Sequence, residues 1–340
     1  MADLPPPLLI AFVSDVSART QFILPNADFI KSLPFDGIVV NIPASWSQMS
    51  PGVVISAADV HDWLDPLAGF NAGMHNYLAL EIDDPGDLFD DAAWAQVARN
   101  WEVIGTVAAQ TGFTGILFDN EEYQGRWSDY PEDYTDAESA RGLAAYQAKA
   151  SQRGRELAQV LARVMPQADL AVAHGPYVSV PANPALPFGI ALQVGDADQH
   201  ELAGPFFTGL LEGVGPDNTM TDAGEIYALR SGAEFQQSFD YRNSDLPGLI
   251  PWAVDPAVLA DWSARVQQAH MIYTAEFPPG YGQTPDSFAA TLAHAMAHSE
   301  GAVFVYTESE VFTWLDPASL PDDWRDALQQ GVNMAAAARK

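Results

Sequence analysis

Cysteine is absent from the 340 residues. That excludes disulfide scaffolding, thiolate zinc sites and thiol nucleophiles. Positive charge is nearly as scarce. Fifteen Lys and Arg stand against 45 Asp and Glu, a net charge of −30, and the only lysines are Lys31, Lys149 and Lys340. A surface of that sign repels nucleic acid and anionic membranes, because binding phosphate by counterion release needs Lys and Arg. Polyanionic substrates are disfavoured for the same reason, and a neutral one fits better. No apolar run approaches the 18 or more residues of a membrane helix, and no Ser/Gly-rich or low-complexity stretch divides the chain. The lead Met-Ala-Asp-Leu-Pro-Pro-Pro has neither a basic region nor a long apolar segment, so it is no signal peptide. Met1-Ala2 ahead of a Pro-rich lead reads as a start that replaces one. Export is the expectation, with a cytoplasmic home as the alternative.

What is present is a repeated alternation of short apolar runs and helical patterns. The runs are Leu9–Asp15, Gly37–Pro43, Tyr77–Asp83, Gly115–Glu121, Leu170–Gly175, Thr219–Asp222, His270–Glu276 and Ala302–Glu308. The helical patterns include Asp91–Thr111, Asp136–Met165, Phe206–Gly213, Pro256–Gln268, Ser287–Ser299 and Pro321–Ala338. Strands alternating with helices imply βαβ units and a parallel sheet, and eight such units imply a closed (β/α)8 barrel over residues 1–340 as one domain. Phe35-Asp-Gly-Ile, Phe113-Thr-Gly-Ile and Glu300-Gly-Ala introduce three of the strands alike, each through a glycine. Two stretches compete for the sixth strand, Gly209-Leu-Leu-Glu-Gly and Thr219–Asp222. A helix running into Gly213 favours the latter.

The stretch Gly115-Ile-Leu-Phe-Asp-Asn-Glu-Glu-Tyr123 carries the most chemistry. Alternation puts Leu117, Asp119 and Glu121 on one face and Ile116 and Phe118 on the other. A strand apolar in its body and acidic at its C-terminal tip is how such a barrel builds an active site. Two carboxyls two residues apart can have their proton affinities pushed apart by repulsion, which an acid/base pair requires. The other strand tips offer Asp15, Asn41, Glu81 with Asp83, His174, Asp222 with Glu225, Glu276 and Glu308. With 45 acidic residues some clustering is guaranteed, and helix capping or plain surface use is the ordinary reading for any one of them. Glu122 points away from Glu121 if the strand continues, which suits support of a loop. Tyr123, Trp127, Tyr130 and Tyr134 either present ring faces to sugar or pack the loop onto itself. Tyr306 and Glu308, with Trp314 beyond, would bind sugar hydroxyls or else close the barrel and cap the next helix. A lone histidine such as His174 is more often a hydrogen-bonding group than a metal ligand.

The strand-four segment resembles two groups of glycoside hydrolases. Asp119-Asn120-Glu121 is similar to the tail of the chitinase-like motif, Asp-x-Glu-Tyr, which implies Glu121 as general acid and Asp119 as the group orienting it. Leu117 stands where that motif carries an earlier Asp, and Glu122 is inserted before Tyr123. Asn120-Glu121 also resembles the Asn-Glu of the large clan of retaining barrels, which implies an acid/base on strand four and a nucleophile on strand seven, here Glu276. The whole chain further resembles uncharacterised glycoside-hydrolase barrels with an acidic residue after strand six and Tyr-x-Glu on strand eight, places filled by Glu225 and Glu308.

These readings converge on a barrel that hydrolyses glycosidic bonds with two carboxyls and acts on a carbohydrate, with no cofactor and no metal. Glu121 is the acid, Asp119 its helper, and Glu225 is preferred over Glu276 as the partner. Asn41, Glu81, Glu122, Tyr123, His174, Tyr306, Glu308 and Trp314 are the expected substrate contacts. The rival readings are a metal-dependent sugar isomerase using Glu81, Asp119, Glu121 and His174, and a sugar-binding barrel without catalysis.

Overall fold

In the computed structural model, the apolar runs form nine parallel strands in one sheet: β1 Leu8–Val13, β2 Gly37–Val40, β3 Tyr77–Glu81, β4 Gly115–Asp119, β5 Asp169–Val172, β6 Thr219–Asp222, β7 Val266–Gln268, β8 His270–Tyr273 and β9 Ala302–Thr307. The described residues are 5–13, 18–43, 46, 52–82, 85–120, 127–180, 201–252, 254–274, 282–307 and 312–339. Asp15, Asp83, Glu121, Glu122, Tyr123, Glu276 and Glu308 lie outside them.

The order β7-β6-β5-β4-β3-β2-β1-β9-β8 wraps nearly into a ring. The gap is bridged by the chain itself. Only Ala269 separates β7, which pairs with β6, from β8, which pairs with β9. The two short strands therefore act as the seventh stave of an eight-staved (β/α)8 barrel. The eight expected strands are all present, including Thr219–Asp222 as the sixth. The structure adds β7 where the sequence pattern extends a helix to Gln268. That helix is two short pieces, Pro256–Ala260 and Trp262–Arg265, and the chain then extends. The long pattern Asp136–Met165 is likewise interrupted. Asp136–Ser139 and Leu143–Val164 are separate helices, and Gly142 between them has φ 85°, a left-handed conformation suited to glycine.

Strand faces sort as period two demands. Ile116 and Phe118 join the apolar layer between barrel and helices, whereas Leu117 joins the barrel interior with Ile10, Phe12, Val39, Tyr77, Ala171, Met271 and Phe304. Helices cover the outside with apolar stripes at helical spacing. Asp91–Gln110, capped by the Asp90 carboxylate accepting from Ala92 and Ala93 N–H at 3.0 Å, buries Trp94, Val97, Trp101, Ile104 and Ala108. The echo of glycines at strand entrances has a packing cause. A Cβ on Gly37 would lie 2.0 Å from the His75 carbonyl oxygen, and one on Gly115 would lie 2.4 Å from the Tyr77 ring.

At the N-terminal end of the barrel, Asp169 is a carboxylate enclosed by neutral donors. It accepts from Tyr77 Oη and Thr221 Oγ1, each at 2.8 Å, and desolvation pushes its carboxyl up to about 6 despite those bonds. The folded state thus holds the Asp169 proton more tightly than the unfolded chain does. No penalty exists below the unfolded value, about 4. Between there and about pH 6 the unfolded state ionises first, and stability falls with rising pH. The cost of ionising the folded protein at neutral pH is about 1–3 kcal/mol, the lower end reflecting partial solvent access to the residue. Urea unfolding of Asp169→Asn against wild type at about pH 4 and pH 8 checks this. Wild type should lose stability between the two relative to the variant, and parallel behaviour would overturn it.

Candidate active site

At the C-terminal mouth of the barrel, β3 and β4 run in register with Glu81 opposite Asp119. Adjacent strands lie about 4.8 Å apart. Both residues continue the inward face marked by Ala79 and Leu117, so two half-buried carboxylates stand side by side on the barrel wall. The next tip is fixed by a buried asparagine. Asn120 donates from Nδ2 to the His174 carbonyl and accepts from the His174 N–H at its Oδ1, both at 2.9 Å, which extends the β4–β5 pairing past the end of the strands. Asn120 thus holds the backbone of the neighbouring strand tip. Asn41 acts similarly, donating to the Val13 carbonyl at 2.6 Å and tying the tips of β2 and β1.

Asn120 thereby sets where His174 stands, and the His174 ring Nε2 lies 3.7 Å from Glu225 Oε2. Glu225 follows a turn at Gly224, whose φ of +59° favours glycine. Beyond it the Glu225 N–H donates to the Ala173 carbonyl at 3.1 Å, and Glu225 bridges to Met271, so β6 resumes after the turn. Tyr227 Oη donates to Glu225 Oε1 at 2.5 Å and also approaches Met271 Sδ at 3.4 Å. The hydroxyl donor on one oxygen and the His174 ring beside the other fix the orientation of the carboxyl group.

The Tyr227 ring belongs to an aromatic wall. It stacks on Tyr306 with centroids 5.8 Å apart and planes 22° from parallel, while Tyr273 meets it edge-on at 5.4 Å and Phe12 packs on Tyr306 at 5.0 Å. Tyr306 and Tyr227 are half-buried, leaving part of each ring at the mouth. Around the ring of strands the order is thus Glu81 and Asp119, then His174 with Glu225, then the tyrosines of β8, β9 and the segment after β6. Carboxylates face aromatics across one opening.

The structure does not bring Trp314 to this mouth. Its ring is fully buried among Phe35, Phe288 and Phe312 in the helix layer, which corrects its assignment as a substrate contact. The aromatic loop is packed on itself in its described part. Trp127 is buried against Phe206, and Tyr130, Tyr134 and Tyr146 cluster with centroids 4.4–6.0 Å apart. That is the packing alternative, and it follows from helix Leu143–Val164 supplying Tyr146 beneath the loop. Asp222 also turns outward, into a buried ion pair with Arg242 at 3.2 Å. Burial raises the Asp222 carboxyl above the usual range, and the guanidinium offsets part of that rise. The sequence places Tyr227 close to Glu225, and the structure joins the two by a hydrogen bond. Sequence reasoning misses Tyr273 and Phe12, although period two from Met271 and Ile10 points to both.

Comparison with solved structures adds the company this barrel keeps. A Bacteroidetes-affiliated GH5 cellulase linked with a polysaccharide utilization locus superposes with a TM-score of 0.52 at 8% identity, covering 96% of this chain and 91% of that one. The exo-beta-1,4-mannosidase Op5Man5 from Opitutaceae bacterium strain TAV5 gives 0.51 at 14%, covering 98% and 60%. A GH5-4 broad specificity endoglucanase from Clostridum cellulovorans gives 0.50 at 10%, covering 98% and 100%. These structural neighbours are glycoside hydrolases. No family model and no curated protein matches the chain. Identities of 8–14% speak for the barrel alone, and chemistry has to be argued from the mouth.

Among the described residues, no group of three or more His, Asp or Glu is placed to hold a metal ion, and no helix is long and apolar enough to cross a membrane. His174 is set against Glu225 by the Asn120 clamp.

Proposed function

We propose that the protein is a glycoside hydrolase acting on a neutral poly- or oligosaccharide with two carboxyl groups at the C-terminal mouth. The observation that carries the reading is Glu225, held by Tyr227 and approached by His174, in the same opening as the Glu81–Asp119 pair and a wall of tyrosines. Tyrosine faces stack on the CH faces of sugars, and carboxylates bind their hydroxyls. In the proposed reaction Glu121 gives its proton to the glycosidic oxygen as the C–O bond breaks. The charged Glu225 either attacks the anomeric carbon or takes a proton from the attacking water. Asp119, two residues before Glu121 on the inward face, raises the proton affinity of that acid by like charge. Asn41, Glu81, Glu122, Tyr123, His174, Tyr306 and Glu308 remain the proposed substrate contacts, and Glu276 the competing partner carboxyl.

The net charge of −30 directs the choice to uncharged glycans. A screen over β-1,4-mannan, cellulose, chitin and their oligosaccharides, with product analysis, tests the reading. Release of shorter sugars, unaffected by a chelator, is expected. Activity that appears only with added divalent metal and isomerises a free sugar would overturn it. Binding without cleavage would instead establish a carbohydrate-binding barrel.

A further inference from the structure

Arg242 lies outside the barrel, in the turn Tyr241–Asp245, and is completely buried. Its guanidinium reaches three acceptors that frame one point of the barrel wall. Nη1 lies 3.2 Å from Asp222 Oδ1 and 3.4 Å from the Asp222 carbonyl, and Nη2 donates to the Ala269 carbonyl at 2.7 Å. Asp222 ends β6, and Ala269 joins β7 to β8. The same Asp222 Oδ1 accepts from the Gly224 N–H at 3.0 Å. Gly224 is pressed onto this clamp, for a Cβ there would lie 2.3 Å from Arg242 Nη1 and 2.6 Å from the Ala269 oxygen. Glu225 is the next residue.

The other oxygen of Asp222 faces the second element of the site. A Cβ on Gly175 would lie 2.5 Å from Asp222 Oδ2, and Gly175 follows His174. One buried ion pair therefore abuts the turn that delivers Glu225 and the turn that follows His174. Stability is a weak reason for such a pair, since well-packed apolar residues in its place are often neutral or stabilising.

We propose that Arg242 and Asp222 are positioning residues, which from behind the barrel wall fix how far Glu225 and His174 reach into the mouth. The inference rests on the reading of Glu225 as base or nucleophile only for its catalytic consequence. The geometric part stands by itself. Arg suits the task where Lys would not, because its planar fork serves several acceptors at once.

The test is the neutral pair variant Asp222→Asn with Arg242→Met, which avoids leaving one buried charge alone. Its crystal structure should show an intact barrel with the Glu225 carboxylate displaced beyond about 3.5 Å from Tyr227 Oη, outside hydrogen-bonding distance. On whichever of β-1,4-mannan, carboxymethylcellulose or colloidal chitin the wild type cleaves, kcat should fall about 10–100-fold, the order a misplacement near 1 Å produces. KM should stay within about threefold, because the lost interaction acts in the transition state. A folded variant with Glu225 still seated on Tyr227 overturns the proposal. A displaced Glu225 with unchanged turnover supports the positioning and sinks the catalytic reading of Glu225 instead. Should the pair variant not fold, Arg242→Lys keeps the charge, reaches fewer acceptors and is read by the same two measurements.

Discussion

Replacing Glu225 by Ala is expected to lower turnover by about 10²–10⁴-fold, the range of a lost acid–base group. Glu225 is held at three points. Its backbone N–H is tied to the Ala173 carbonyl, its Oε1 receives Tyr227 Oη, and its Oε2 faces the His174 ring. A side chain so held is pre-oriented for the reaction. If the enzyme retains configuration and Glu225 is its nucleophile, formate or azide should restore turnover in Glu225→Ala. The small anion enters the space the carboxylate leaves and attacks the anomeric carbon. If Glu276→Ala shows that rescue and Glu225→Ala stays active, the nucleophile is Glu276, which follows β8 in the sequence. Glu225 is then a binding carboxylate. Thermal unfolding separates this from a folding defect, since the side chain lies at the mouth and not in the core.

Strand β4 is legible in the sequence because it is buried on both sides. Ile116 and Phe118 meet the helices, Leu117 meets the barrel interior, and the same alternation delivers Asp119 inward. Helix ends are legible where caps are, as at Asp90. What the sequence hides depends on partners far along the chain. Trp314 in a loop after a strand reads the same whether it faces solvent or, as found, Phe35 and Phe288. β7 is three residues following a helical pattern, and only its ladder with β6 makes Val266–Gln268 a strand. Arg242 stands 20 residues after Asp222 with no periodic relation to it, and the pair exists only once the outer turn folds back on β6. The role of Asn120 is hidden in the same way. Its partner is the backbone of His174, 54 residues on, and the amide holds the segment after β5.

The companion expectation concerns the proton donor. Glu121→Gln should lower turnover by about 10²–10⁴-fold on a glycan while leaving thermal unfolding unchanged, because the amide keeps the shape and removes the proton. Asp119 is the group through which this becomes decisive. It stands inward at the end of β4 beside Glu81, two residues before Glu121 in sequence. An ionised carboxylate within a few ångströms of an acid makes that acid hold its proton more tightly, as like charges disfavour a second ionisation. Asp119→Asn removes that repulsion. The upper limb of the pH–rate profile, which reports loss of the donor's proton, should therefore move to lower pH as well as drop in height. Glu81→Gln, one strand away, should move it in the same direction. The measurement is kcat/KM against pH for the wild type and the three variants on one soluble oligosaccharide. A variant Glu121→Gln with most of its activity sinks the assignment of the donor. An upper limb unmoved in Asp119→Asn means that the donor does not share a site with Asp119, and the acid must then be sought among Glu225, Glu276 and Glu308.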